Sequence, residues 1–206
     1  MRIGFDFDNT IVSYDALFYN VAVEQSLVPV ELPKSKLAVR EHLRKTDNES
    51  AWTEMQGYVY GARMADAIAY SGVIDFMKLA REHGVSMVIV SHKTKHPFLG
   101  PKYDLHDAAR SWINGSLRDG DICLFGSDEM FFELTKEDKI NRISELECDY
   151  FIDDLPEILQ MPDFPKRTKG ILFDPEDHHD TEGLGNTFKS WQEISDYMEG
   201  KWQALA

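Results

Sequence analysis

Five short apolar runs, each too brief for a helix and each followed by residues of helical period, constrain this chain more than anything else in it. They are Arg2 to Phe7, Val85 to Val90, Ile122 to Phe125, Tyr150 to Ile152 and Gly170 to Phe173. Runs this rich in Ile, Val, Phe and Tyr read as strands buried on both faces. Between them, Val73, Phe76, Met77 and Ala80 form a helical stripe that His83-Gly84 ends. Leu105, Ala109, Trp112 and Ile113 form another, and Thr135 to Asp138 reads as a helix N-cap leading into Ile140, Ile143 and Leu146. Phe188, Trp191, Ile194, Met198 and Trp202 predict a closing helix. Strand alternating with helix predicts an α/β fold, a parallel sheet with helices on both faces. Ligands of such sheets bind outside the carboxyl ends of the strands.

Residues 13–71 break the alternation. Tyr14, Leu17, Phe18 and Val21 give one helical stripe, Trp52, Met55, Val59 and Ala62 another, and Pro33 to Thr46 is a charged helix candidate between them. The pattern predicts a core of residues 1–12 and 72–206, with an all-helical cap, residues 13–71, rising from the carboxyl end of the sheet.

Composition removes several alternatives. A chain of 206 residues buries roughly 70% of its unfolded surface and needs no staples. Its 22 basic and 36 acidic residues leave a net charge of −14, a field that repels nucleic acid and anionic lipid. No apolar run approaches the roughly 20 residues that span a bilayer. Two acids by position 8 argue against a secretory leader, and Cys123 and Cys148, both beside apolar residues, suit a reducing compartment, so a cytoplasmic protein is expected.

The sharpest local feature is Asp6-Phe7-Asp8-Asn9-Thr10 at the end of the first run. Acids two apart in extended chain point the same way. A second pair, Asp153-Asp154, ends the run Tyr150 to Ile152, and Glu157 follows. If these strands are neighbours, their carboxylates converge. Two such charges about 4 Å apart repel by about 4 kcal/mol at an effective dielectric of about 20. The cluster therefore needs a cation, and its all-oxygen chemistry selects a hard one, Mg²⁺ before others. Ser91 to Tyr103 carries Lys93, Lys95, Lys102, His92 and His96 without an acid, a cationic island suited to a phosphoryl group. Lys136 and Lys139 head the helix leading to Asp153.

Together these residues resemble the haloacid dehalogenase-like (HAD) phosphohydrolase superfamily. The DxDxT motif is matched by Asp6, Asp8 and Thr10; the second-motif hydroxyl by Ser91; the third-motif lysine by Lys139, with Lys136 in reserve; the acidic fourth motif by Asp153-Asp154, with Ile152 where many members have Gly. The resemblance implies a Rossmann-like core in which residues 13–71 are the cap. It implies that Asp6 attacks phosphorus and that Asp8 protonates the leaving oxygen and later deprotonates water. Ser91 and Lys139 would hold the phosphoryl oxygens, with Thr10, His92 and Lys93 on the substrate. Mg²⁺ would sit on Asp6, the Asp8 carbonyl and Asp153, with Asp154 and Glu157 either supporting the metal or replacing one ligand. Asp8 argues against dehalogenation. The expected activity is Mg²⁺-dependent hydrolysis of a small phosphorylated metabolite such as a sugar phosphate. A 5′-nucleotidase, a phosphotransferase and a non-catalytic binder of phosphorylated ligands are the alternatives. The run Asp174 to Asp180 reads as an acidic surface loop, and Tyr14, Trp52, Tyr58, Tyr60 and Arg63 are cap residues without an assigned role.

Overall fold

The computed structural model describes residues 1–181 and 183–202. Its centre is a six-stranded, wholly parallel sheet. The strands are β1 (Arg2–Phe5), β4 (Ser86–His92), β7 (Met130–Glu133), β8 (Tyr150–Asp153), β9 (Lys169–Phe173) and β10 (Thr187–Phe188), in the order β10-β9-β8-β1-β4-β7. From β1 the chain winds outward through β4 and β7, then returns to the other side of β1 at β8. The order therefore reverses between β1 and β8, the crevice where α/β sheets place their ligands.

Both faces of the sheet are buried, and side-chain alternation divides them. Ile3, Phe5, Met87, Ile89, Ile152, Ile171 and Phe173 face one apolar cluster, whereas Val88, Val90, Phe151 and Leu172 face the other. The first is covered by α4 (Val73–Glu82), α5 (Leu105–Ser116) and α8 (Trp191–Trp202), through Phe76, Trp112 and Trp191. The second is covered by α6 (Lys136–Glu145) and the single turn α7 (Pro156–Leu159), through Ile140 and Ile158. Gly4 lets β1 lie close to its neighbour: a Cβ there would meet Phe151 at 2.6 Å and Cys148 Sγ at 3.1 Å.

Between β1 and β4, a two-residue antiparallel ribbon of β2 (Val12–Ser13) and β3 (Ile68–Ala69) forms a stem. Beyond it, α1 (Asp15–Glu24), α2 (Lys36–Lys45) and α3 (Glu49–Tyr60) pack on one another. Ser35 caps α2 by accepting from the Ala38 amide.

Two expected elements are corrected. Ile122 to Phe125 is no sheet strand: β6 (Ile122–Cys123) pairs only with β5 (Arg118–Asp119), and Ile122 is 62% exposed. Its place beside β4 belongs to Met130–Glu133, four residues whose alternately buried pattern fits an edge strand. Phe188 is not part of the closing helix but of β10, and the helix starts at Trp191. No helix among the described residues is long and apolar enough to cross a membrane.

Candidate active site

Sheet register explains why remote residues meet. Phe5 is level with Ile89 on one side and Ile152 on the other. Asp6, Ser91 and Asp153 therefore leave the sheet at nearly the same height. The Asp6 amide extends the pairing by donating to the Ile152 carbonyl at 2.8 Å. Phe7 then turns into the core against Trp112 and Phe132, which directs Asp6 and Asp8 the opposite way. The chain reverses tightly after Asp8: the Ile11 and Val12 amides both donate to the Phe7 carbonyl, and Asn9 takes the left-handed conformation (φ 59°) that Asn tolerates better than most residues.

Two clusters result. In the first, Lys139 Nζ lies 2.6 Å from Asp6 Oδ1 and 2.6 Å from Asp153 Oδ2. All three groups are buried. Lys139 can reach them because Thr135 caps α6 by accepting from the Asp138 amide, which sets the first turn against the sheet. Burial alone would push the Lys139 ammonium down, but Asp153 and Asp6 outweigh it and hold its pKa above the usual range. Burial raises Asp153 to about 6 despite Lys139, with the Asp6 charge adding to the rise. Its Oδ1 accepts from the Leu155 amide at 2.9 Å. Half-buried Asp154 is also raised well above the ordinary carboxylate range, by burial and then by the Asp6 and Asp153 charges. Thr10 Oγ1 donates to Asp154 Oδ1 at 3.3 Å.

The second cluster surrounds Asp8. Lys93 Nζ donates to both carboxylate oxygens, at 2.7 and 2.9 Å, and Tyr14 OH donates to Oδ1 at 2.6 Å. Burial pushes Asp8 up, but the Lys93 charge and these hydrogen bonds prevail and its pKa is lowered. Tyr14 is raised well above the ordinary phenol range by burial and by Asp8, so it stays a donor. Lys93 is itself held at its backbone, where its carbonyl accepts from His106 Nε2 at 2.7 Å. Neighbouring carboxylates thus have environments that push their pKa values apart, a pattern that separates acid and base roles.

Asp6, Asp153 and Lys139 come together, as do Asp8 and Lys93, with Thr10 on Asp154. Ser91 is buried near the end of β4. His92 is not drawn in: it is exposed, with Nε2 3.1 Å from the Leu134 carbonyl. Lys136 pairs at 2.5 Å with Glu157 on the surface, which leaves Lys139 as the lysine on the carboxylates. The Asp174 carboxylate accepts from the His178 and His179 amides and so organises its own loop. Arg63 is tied to Glu24 and Asp66 at the surface. Sequence reasoning missed Lys36, at the start of α2, whose Nζ donates to Asn9 Oδ1 at 3.2 Å. It gave Tyr14 no role. Neither has a motif; each acts through a contact made by folding.

Carboxylate oxygens of Asp6, Asp153 and Asp154 lie within 4.8 Å of one another. An all-oxygen, mostly buried set with one lysine among its acids fits a hard divalent cation.

The fold and site define an α/β protein with a carboxylate cluster at the switch point of a doubly wound sheet. No protein-family model matches the chain, and no curated protein matches it. Solved structures do match over nearly their whole length. A HAD family hydrolase from Deinococcus radiodurans, with bound phosphate and sodium, is 15% identical, covers 98% of this chain and 96% of its own, and has a TM-score of 0.56. A HAD-superfamily hydrolase from Ehrlichia chaffeensis is also 15% identical, covers 97% and 96%, and has a TM-score of 0.56. A structure described as a dehalogenase is 12% identical, covers 95% and 96%, and has the same score. The fold of this chain is the HAD-like fold.

Proposed function

We propose that this protein is a Mg²⁺-dependent phosphatase of small phosphomonoesters that works through an aspartyl-phosphate on Asp6. A fold shared with both a phosphate-bound hydrolase and a dehalogenase does not choose the reaction, so the site must. The observation that carries the reading is the second carboxylate: Asp8, two residues from the nucleophile and held by Lys93 and Tyr14. Displacement of a carbon–halogen bond needs no such group, whereas an alkoxide leaving group and a later water both need proton transfer.

Asp6 attacks phosphorus and the bond from phosphorus to the ester oxygen breaks. Asp8 gives its proton to that oxygen. A phosphate dianion beside Asp8 raises its pKa and so favours loading of that proton. Water then attacks the acyl phosphate, Asp8 takes its proton, and Asp6 is restored. Lys139 and Ser91 hold the phosphoryl oxygens and offset charge as it develops. Mg²⁺, held by Asp6, Asp153 and the Asp8 carbonyl with Asp154 in support, would supply further neutralisation of that charge. Residues 13–71 act as a cap that restricts the site to small substrates and limits water.

A nucleotidase is the weaker reading because the cap aromatics are already in contact. Trp52 packs on Phe18, Tyr58 on Tyr103, and Tyr14 on Tyr60. The two free cysteines suit the cytoplasm. Phosphate release from a panel of phosphorylated metabolites, with Mg²⁺ and with chelator, tests the proposal. Release should vanish with chelator and in Asp6→Asn; release that persists in Asp6→Asn would sink the aspartyl-phosphate route.

A further inference from the structure

Two lysines are concentrated around Asp8 in a chain of net charge −14. Lys93 follows the end of β4 and Lys36 begins α2, so one comes from each side of the site. They meet over one ring: Lys93 Nζ lies 4.7 Å and Lys36 Nζ 5.6 Å from the Tyr60 centroid. Lys36 Nζ also lies 5.9 Å from the Tyr14 ring and 5.5 Å from the Phe18 ring. It donates to Asn9, the residue after Asp8, at 3.2 Å, and Tyr60 is a further side-chain hydrogen-bond partner.

The two differ in one respect. Lys93 is neutralised by Asp8 at 2.7 Å. Lys36 forms no ion pair with a carboxylate among the described residues, although it is half-buried. A charge taken out of water is costly unless it is paired. Burial would push the Lys36 ammonium down, but Tyr60, Asp8 and Asp154 outweigh it, so the charge persists. The cap therefore brings a cation without a direct ion pair, held in the field of Asp8 and Asp154, to the residues around Asp8.

In the phosphatase reading, on which this inference rests, Asp8 serves the leaving oxygen. Whatever that oxygen carries extends among the neighbours of Asp8. We infer that Lys36 is the specificity-determining residue, seating a second anionic group on the leaving group. The substrate class is then a small phosphomonoester bearing a carboxylate or a second phosphate a few bonds from the ester oxygen. Tyr60 and Tyr14 restrict the lysine's position, and Lys93 adds positive potential beside it.

The test compares kcat/KM with Mg²⁺ for three esters of similar size. Glycerol 3-phosphate has a neutral leaving group, 3-phosphoglycerate a carboxylate, and propane-1,3-diol bisphosphate a second phosphate. Wild type should prefer at least one charged ester by about tenfold or more, the size of a charge-assisted contact, and the two charged arms identify which anion it takes. Lys36→Met should collapse that ratio, chiefly through KM, and Lys36→Arg should retain most of it. A matched thermal melt separates loss of the ratio from loss of the fold. Equal rates on charged and neutral esters by wild type overturn the inference and leave the phosphatase reading standing, as does a ratio unchanged in Lys36→Met. No phosphate release from any ester overturns both.

Discussion

Lys93 and Asp8, 85 residues apart in sequence, meet as a largely buried ion pair, with Nζ 2.7 Å from Oδ2 and 2.9 Å from Oδ1. The pair joins the residue proposed for proton transfer to a lysine that the sequence places in a basic stretch and assigns to the substrate rather than to Asp8.

Removing that cation should raise the pKa of Asp8, because burial then acts against less opposition. In Lys93→Met, the alkaline limb of the kcat/KM profile, where Asp8 loses the proton it gives to the leaving oxygen, should move to higher pH by about 1 unit or more, the usual effect of one close charge. Tyr14→Phe should move it the same way by less. A limb that stays in place in Lys93→Met would show that Asp8 does not control it.

Lys139→Met leaves Asp6 and Asp153 buried side by side without their shared cation. Breaking a buried pair by removing one partner costs about 3–5 kcal/mol. Urea unfolding in chelator should show a loss of that order. Mg²⁺ should recover more stability in Lys139→Met than in wild type, since a divalent cation would then have no lysine to compete with.

Stability without metal should rise as pH falls from 7 to 5. Asp153 has a folded pKa of about 6 against an ordinary value of 3.8, so between those values the folded state holds more proton than the unfolded one. Its stabilising contribution is thus complete below 3.8 and lost as pH rises through about 6. Asp154 acts in the same direction. Asp8, whose pKa is lowered, works oppositely, and its contribution is lost only as pH falls below 3.8. Melting in chelator should therefore show a gain toward pH 5 that shrinks in Asp153→Asn.

Gly4→Ala should be disproportionately harmful for a single methyl group. Its Cβ would overlap the Phe151 ring at 2.6 and 2.9 Å. Overpacking of this kind costs about 1–3 kcal/mol, measurable by urea unfolding. In the double variant Gly4→Ala, Phe151→Leu part of that loss should return.

Much of the core was legible. Val85 to Val90 and Gly170 to Phe173 read as strands because both their faces are apolar, and the structure divides them between two clusters. Edge elements were not. Met130–Glu133 is four residues long, follows Asp128 and Glu129 and itself ends in an acid, and Thr187–Phe188 is shorter still; each becomes a strand by pairing with a neighbour already in place. Ile122 to Phe125 misled because an apolar tetrapeptide looks the same whether it pairs in the sheet or fills space beside it.

By itself, the sequence determined the alternating α/β plan and the acids at the ends of two strands, because backbone periodicity and the cost of buried charge act locally. Tertiary structure decided which lysine meets which acid. Register carried Asp6 and Asp153 to the same level, α6 turned Lys139 rather than Lys136 toward them, and the stem of β2 and β3 brought Lys36 over Asn9. Such charge pairs join positions as far as 133 residues apart, and their energies depend on distances and burial that only packing sets.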